Sequence, residues 1–407
     1  MSHAFPFDLI CLSHLRWDFV FQRPQHLLGR AAANHERVFF FEEPILENTT
    51  VPHLDVKKSK ENVFVVQPRV PEGITHAEII QAERQLLDNL ISEWAIRNYL
   101  LWYYTPMALS FSRHMNPELI IYDCMDELSL FKNAPQELIE NERELLHMAD
   151  VVFTGGQSLF EAKKDRHPHV YAFPSSIDYH HFVQARTIAH HNEEVEDQRD
   201  IPHPRIGYCG VIDERLDFDL IAQAASARPE WQFIFVGPIV KIDPGSLPNF
   251  PNIHYLGQKD YQELPHYLAG WDVAMMPFAL NDSTKFISPT KTPEYLAAGK
   301  PIVSTPIRDV VRPYGELGLV EIVATLDEFI RAAARYGMEE GALPIDWLSR
   351  VDLFLKQNSW QKTWEGMSQR MREALERKSI PHAGHTEETD FLSQNNENET
   401  ALSAEVA

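Results

Sequence analysis

The stretch SPTKTPEYLAAGKPIVST, from Ser288 to Thr305, places a lysine and a glutamate three residues apart at the start of a short helical pattern. Pro289 and Pro293 delimit a helix start, Thr290 or Thr292 is able to cap it, and Gly299 ends it before the strand-like PIVST. The unpaired N–H groups of such a start, flanked by Ser288 and Thr290, favour an anion, and Lys291 adds a full positive charge. Glu294 lies about one turn on, on the same face, where its carboxylate can accept hydrogen bonds from two vicinal hydroxyls such as a ribose offers. The pair therefore suits a nucleoside diphosphate, phosphates at Lys291 and ribose at Glu294. A plain surface ion pair, worth about 0.2–0.5 kcal/mol, would account for the same spacing.

The elements that must carry this pair follow from hydrophobic pattern. Short β-branched and aromatic runs alternate with helical stretches. In the first half these are DLICLS, RVFFFEE, NVFVVQP, YLLWYY, LIIYDCM, DVVFTGG and HVYAFPS; in the second, RIGYCGV, WQFIFVGP, NIHYLGQ, WDVAMMPF, PIVSTP and LVEIVAT. Runs apolar on both faces, separated by helices, predict parallel sheets covered on both sides. The polar, proline-flanked residues 184–204 break the pattern and are expected to be a linker. The fold class is therefore α/β, with two facing Rossmann-like doubly wound domains, over 1–183 and 205–358. A last amphipathic helix over 359–378 is expected to cross back to the first domain, and the acidic tail over 379–407 is expected to be disordered. In open parallel sheets, ligands bind outside the carboxyl ends of the strands, so two such domains face a common cleft.

Composition narrows the chemistry. The 407 residues are 44% hydrophobic and 24% charged, with no apolar run long enough to span a membrane. The N-terminus lacks a basic region and a cleavage site, so a cytoplasmic protein is expected. Net charge is −22, of which six acids lie beyond Pro381, and this argues against nucleic-acid partners. Cys11, Cys124 and Cys209 are far apart in apolar runs and read as buried free thiols. No CxxC or HExxH pattern points to a protein-held metal, and the histidine pairs His180-His181 and His190-His191 read mostly as solvated. TGGQS, at Thr154 to Ser158, lacks a Walker lysine and is read as a tight turn.

The same lysine–glutamate stretch resembles the donor-binding signature of family 4 retaining glycosyltransferases of the GT-B fold. The order EWQFIFVGP, NIHYLGQKDYQELPHYLAGWDVAMMPF, and FPSSIDYHHF between the halves are similar to that family as well. W…QRPQHL, YDCMDE and GVIDERLD together resemble a bacterial subgroup of surface-polysaccharide pathways. The resemblance covers roughly residues 5–375 and is stronger in the C-terminal half. It departs from the family at three places. The first of two glutamates spaced by seven would fall at Phe286, with Asn281, Asp282, Ser283 and Thr284 upstream as substitute hydrogen-bonding groups. In GVIDERLDFD, Val211 stands where the phosphate-clamping arginine would be and Arg215 about where the lysine would be, making Arg215 the expected second phosphate cation. The glycine-rich loop after strand one is replaced by SHLRWDFVFQRPQHLLGRAA. There Arg16, Trp17 and Arg23 are expected to face the cleft on the acceptor side, the cations toward a diphosphate and Trp17 toward a sugar face.

The resemblance implies a nucleotide-sugar donor held by the C-terminal domain and a glycan or lipid-linked acceptor on the N-terminal domain. It implies transfer with retention of configuration and no required metal or cofactor. Gly237, in FVGP, is expected where backbone passes the nucleotide base. At the carboxyl end of LIIYDC, Asp126, ahead of Asp123, is the carboxylate expected to orient the acceptor or act as its base. A lipid-linked acceptor would bring the chain to the inner face of a membrane, although no basic amphipathic helix stands out. Two other readings stay open: a nucleotide-sugar-binding module without transfer activity, and a nucleotide-sugar epimerase of similar architecture.

Overall fold

The computed structural model describes residues 5–131, 134–191, 195–337 and 343–379. Among these, two parallel sheets form the framework. The N-terminal sheet contains β1 (Asp8–Leu12), β2 (Val38–Phe41), β3 (Ile45–Glu47), β4 (His53–Lys58), β5 (Phe64–Pro71), β6 (Tyr99–Tyr103), β7 (Leu119–Cys124), β8 (Val151–Thr154) and β9 (Val170–Ala172). Its order is β3-β5-β2-β1-β6-β7-β8-β9, with β4 antiparallel on β5. The C-terminal sheet contains β10 (Arg205–Cys209), β11 (Gln232–Val236), β12 (Ile253–Tyr255), β13 (Val273–Met276), β14 (Ile302–Ser304) and β15 (Glu321–Ile322), in the order β12-β11-β10-β13-β14-β15.

The predicted strands are all present, and their burial explains why they were legible: every residue of β1, β2 and β6 is buried, as a strand covered on both faces requires. The sequence reading missed β3 and β4. The β4 segment HLDVKK is polar, with exposed residues alternating with half-buried ones, the pattern of a charged edge strand rather than a core one.

One boundary moves. Residues 184–204 are not an open linker: helices Gln184–His191 and Glu196–Arg199 lie there. Ala185, Ile188 and Ile201 are buried in the C-terminal core, and Gln198 accepts a hydrogen bond from Trp271 Nε1 at 3.0 Å. A few apolar residues at helical spacing were enough to fold this polar segment onto the domain. The last helix, Trp360–Ser379, does return to the N-terminal domain, burying Trp360, Trp364, Met367 and Met371 in its core. The tail expected to be disordered lies, from residue 380, outside the described residues.

Both sheets reverse their strand order beside their first strand, β1 or β10. The loops leaving β1 and β10 therefore splay apart at the two switch points, and this is what opens a crevice between the domains.

Candidate functional site

The crevice holds a cavity of about 640 Å³. Its N-terminal wall is the loop from Trp17 to Phe21 and the hairpin Lys57–Glu61; its C-terminal wall is the backbone after β10, β11 and β12. The domains touch at its edge, where the Gln258 side-chain amide donates to the Phe19 carbonyl.

Lys291 and Glu294 belong to the helix Lys291–Ala297, as expected. The rest of that helix explains its plainness. Tyr295, fully buried, accepts a hydrogen bond from the Cys209 N–H at 2.7 Å and donates to the Cys209 carbonyl at 3.1 Å, fastening the helix to the end of β10. Thr292 Oγ1 reaches Met276 Sδ at the end of β13, and Leu296, Ala297 and Ala298 are buried. Thr290 precedes the helix but makes no capping hydrogen bond from its side chain. Lys291 then runs over Gly210: a Cβ built on Gly210 would lie 2.0 Å from Lys291 Cε. Its ammonium sits 5.8 Å from the centre of the Tyr208 ring. Among the described residues neither Lys291 nor Glu294 has an ion-pair partner within 4 Å, so the plain ion pair is not formed. Burial lowers the Lys291 pKa, opposed by Glu294 and Cys209 and assisted by the like charge of Arg215. Burial pushes Glu294 up to about 7, against the pull of Lys291. Two desolvated groups without direct partners are what a site awaiting a charged, hydroxylated ligand presents.

Gly237 lies beside them. It has φ +147°, and a Cβ there would lie 2.0 Å from the Gly210 carbonyl oxygen. The two glycines let the ends of β10 and β11 close together as the bare backbone floor of the cavity.

Arg215 reaches the same region from the loop after β10, but it is not free. Its guanidinium is fixed by Asp213 through Nε at 2.9 Å and Nη2 at 2.7 Å. It also lies 5.9 Å from the Phe131 ring of the opposite domain. Asp126, also from the N-terminal domain, faces these cations. Burial raises its pKa, while Arg215, Arg23 and Lys291 pull it down and Asp213 pushes it up. Lys291, Arg215 and Asp126 are thus brought together from both domains. Lys241, on the loop after β11, was not singled out from sequence, yet it stands 5.9 Å from the same Phe131 ring and lowers the pKa of His14. Its only signal was position, a lysine four residues beyond the glycine turn. His14 itself is enclosed, with Nδ1 unpartnered, and burial followed by Lys241 takes its pKa down to about 4.

The acceptor-side expectations need correction. Arg23 is 3% exposed and forms a two-pronged pair with Asp123, at 3.0 and 2.9 Å, with a third bond to the Phe173 carbonyl at 2.7 Å. It ties the first helix to β7 instead of facing the cleft. This also removes Asp123 as a candidate and leaves Asp126. Arg16 is bound to Glu42 at 3.2 Å and to the carbonyls of Glu43 and Pro44, holding the turn after β2. Trp17 is 4% exposed and packs edge-on to Phe40 at 5.0 Å, so only its rim reaches the cavity. Arg16 and Trp17 lie on the loop after β1 and Arg23 opens the helix that follows, but each found a partner inside its own domain.

On the loop after β13, Asp282 is exposed on a short 3-10 turn, and among the described residues its carboxylate has no hydrogen bond. Phe286, where a glutamate would be expected, packs against the N-terminal core. Ser288 abuts Gly156 of the TGGQS turn. That turn opens the helix Gln157–Lys163, and the anion at its N-terminus is the protein's own: Asp309 Oδ1 accepts from the Ser158 N–H at 3.0 Å across the domain boundary. Of the histidines read as solvated, His181 is buried, stacked 4.4 Å from Tyr261 with Nε2 bonded to the Tyr261 carbonyl. Tyr261 closes the back of the cavity with Phe21 at 4.7 Å, its hydroxyl buried and unpartnered. The three cysteines are buried and free, as expected. Among the described residues no cluster of side chains could hold a metal ion, and no helix is long and apolar enough to cross a membrane.

Comparison with known proteins agrees with this architecture. Residues 203–336 match the family model described as Glycosyl transferases group 1. Over 284 residues the chain is 25% identical to the "Putative teichuronic acid biosynthesis glycosyltransferase TuaH" of Bacillus subtilis (strain 168), covering 63% of this chain and 64% of that protein, so the match spans just under two thirds of the relative. Among solved structures, a sucrose-phosphate synthase from Thermosynechococcus elongatus superposes with a TM-score of 0.67 at 14% identity, over 90% of this chain and 99% of that one. An E. coli trehalose-6-phosphate structure bound with UDP-2-fluoro glucose gives 0.61 at 13% identity, over 89% and 98%. The C-terminal domain thus matches the group 1 glycosyl transferases, and the whole chain has the GT-B fold of two facing parallel-sheet domains.

Proposed function

We propose that the protein is a glycosyltransferase that moves a sugar from a nucleoside-diphosphate donor to a glycan or lipid-linked acceptor in surface-polysaccharide synthesis, with retention of configuration. The observation that carries the reading is the pair Lys291 and Glu294, desolvated, unpaired and held at the crevice by a helix pinned to β10. In this reading the donor diphosphate lies along Lys291, with Arg215 and Lys241 adding positive charge, and the ribose hydroxyls bond Glu294. Charge developing on the leaving diphosphate is then stabilised by groups already in place. Asp126 faces that diphosphate from the other domain and orients the acceptor hydroxyl, while the diphosphate oxygen takes its proton. The acceptor enters beside Phe131 and His14. The group 1 match, the relative from Bacillus subtilis and the UDP-sugar bound by the E. coli neighbour support this assignment. No step calls on a metal.

Phe286 favours a second reading, a nucleotide-sugar-binding module without transfer activity, because it puts an aromatic ring into the domain seam where a glutamate would touch the donor sugar. Incubation with UDP-, GDP- and ADP-sugars separates the two. Release of nucleoside diphosphate, with the product's anomeric configuration read by NMR, supports transfer with retention. Binding without transfer or slow donor hydrolysis supports the module, and failure of every nucleotide sugar to bind removes both.

A further inference from the structure

A second large cavity, of about 750 Å³, lies away from the crevice, at the opposite ends of the N-terminal strands. It is walled by the helix Gln136–Met148, the turn before β9 and the last turns of the helix Trp360–Ser379. Arg143, Arg166, Arg377 and Lys378 line it, against Asp150 as the one carboxylate in the lining. Among the described residues Arg143 has no hydrogen-bond or ion-pair partner, and the hydrogen bond that Arg377 donates to the Asp150 carbonyl is a long one, 3.5 Å. Lys378 pairs with Asp150 at 3.0 Å. Arg166 pairs with Glu142, which is shared with the buried Lys163 at 2.6 Å. His147, His167 and His169 add three further rings to the wall, and burial, then Arg377 and His167, hold His169 below its ordinary pKa. Leu146, Ala149, Pro168 and Ala374 give the cavity an apolar floor.

In a chain of net charge −22, four cations converge on one concave surface. Asp150 and Glu142 offset Lys378 and Arg166, and among the described residues Arg143 and Arg377 are left without a carboxylate within 4 Å, so the groove keeps a net positive charge that an anion would neutralise. Three of the four are arginines, whose planar forks match the oxygens of a phosphate group two at a time. The volume lies in the range of small-molecule sites, with room for more than a bare ion. We propose that this groove is a second anion site, separate from the crevice and independent of the donor reading, which binds a phosphate-bearing molecule: a soluble pyrophosphate or phosphomonoester, or the headgroup of an anionic lipid.

The test uses the full chain and the double variant Arg143→Glu/Arg377→Glu. Both side chains lack strong internal partners, so the fold should survive, and the melting temperature checks it. Arg143→Gln alone replaces the double variant should that one fail to fold. Inorganic pyrophosphate is titrated by calorimetry into the wild type, the groove variant and Lys291→Ala. Sedimentation with phosphatidylglycerol vesicles, against phosphatidylcholine vesicles, forms the second arm. The groove variant should lose at least tenfold in affinity for pyrophosphate, or for the anionic vesicles, while Lys291→Ala retains it. Loss in the titration identifies a soluble ligand, and loss only with vesicles identifies a lipid headgroup. If neither arm distinguishes the groove variant from the wild type, the site does not exist.

Discussion

Lys291 crosses the face of Gly210 so closely that a single methyl group on Gly210 would occupy the space of the lysine's Cε, 2.0 Å away. The lysine's position is thus set by the absence of a side chain at the turn that follows β10. Gly210 also has φ +149°, a conformation that L side chains rarely adopt. Gly210→Ala is therefore expected to push Lys291 out of the crevice and to lower kcat/KM by about tenfold to a hundredfold, equivalent to roughly 1.4–2.7 kcal/mol. A variant with normal kinetics would mean that Lys291 does not need this path.

The two side chains of the opening pair should separate kinetically. Glu294→Ala is expected to weaken donor binding, read as a rise in KM or in the Kd of a nucleotide sugar. Lys291→Ala should act mainly on kcat, because charge on the leaving diphosphate grows in the transition state. Wild-type kinetics in both would end the donor-site assignment.

The pKa of Glu294, about 7, gives a pH test. Between its ordinary value near 4.5 and about 7, the folded protein keeps a proton that the unfolded chain has released. That contribution to stability is therefore lost as pH rises through this window. Donor binding needs the carboxylate and should move the other way. Affinity for a nucleotide sugar is expected to be about tenfold weaker at pH 6 than at pH 8, and Glu294→Gln should flatten the profile. An equally steep profile in Glu294→Gln would assign the titration to another group.

Arg23 and Asp123 form a pair with side-chain exposures of 3% and 0%. Removing one partner strands the other charge in the N-terminal core. Arg23→Ala is expected to cost about 3–5 kcal/mol of stability, measured by urea unfolding. A variant of normal stability that had lost only acceptor affinity would instead return Arg23 to the acceptor site.

Asp309 bonds the Ser158 N–H from across the domain boundary, and Arg308 pairs with Glu161 beside it. Asp309→Ala should leave that buried N–H unpaired, at a cost of about 1–3 kcal/mol, and loosen the seam. Small-angle scattering should then show a larger radius of gyration than the wild type. An unchanged radius would show that the seam is held elsewhere.

The sequence by itself determined the two parallel sheets, because strands covered on both faces must be apolar throughout, and β1, β10 and β11 could be read from that fact alone. It also determined the helix of Lys291 and Glu294, since proline, threonine and glycine mark the ends of a helix locally. It did not reveal β4, whose exposed edge needs no apolar pattern, or the helices within 184–204, where a few buried residues sit among many polar ones. What only the tertiary structure decided is which charged side chains are left over for a ligand. Arg16 lies on the predicted loop and Arg23 opens the helix after it, but their partners, Glu42 beyond β2 and Asp123 in β7, come from 26 and 100 residues away in the chain. Asp309 likewise reaches a helix 151 residues earlier. Charge neutralisation depends on distance in space. A cation's availability is therefore settled only when the chain has brought, or failed to bring, a carboxylate beside it.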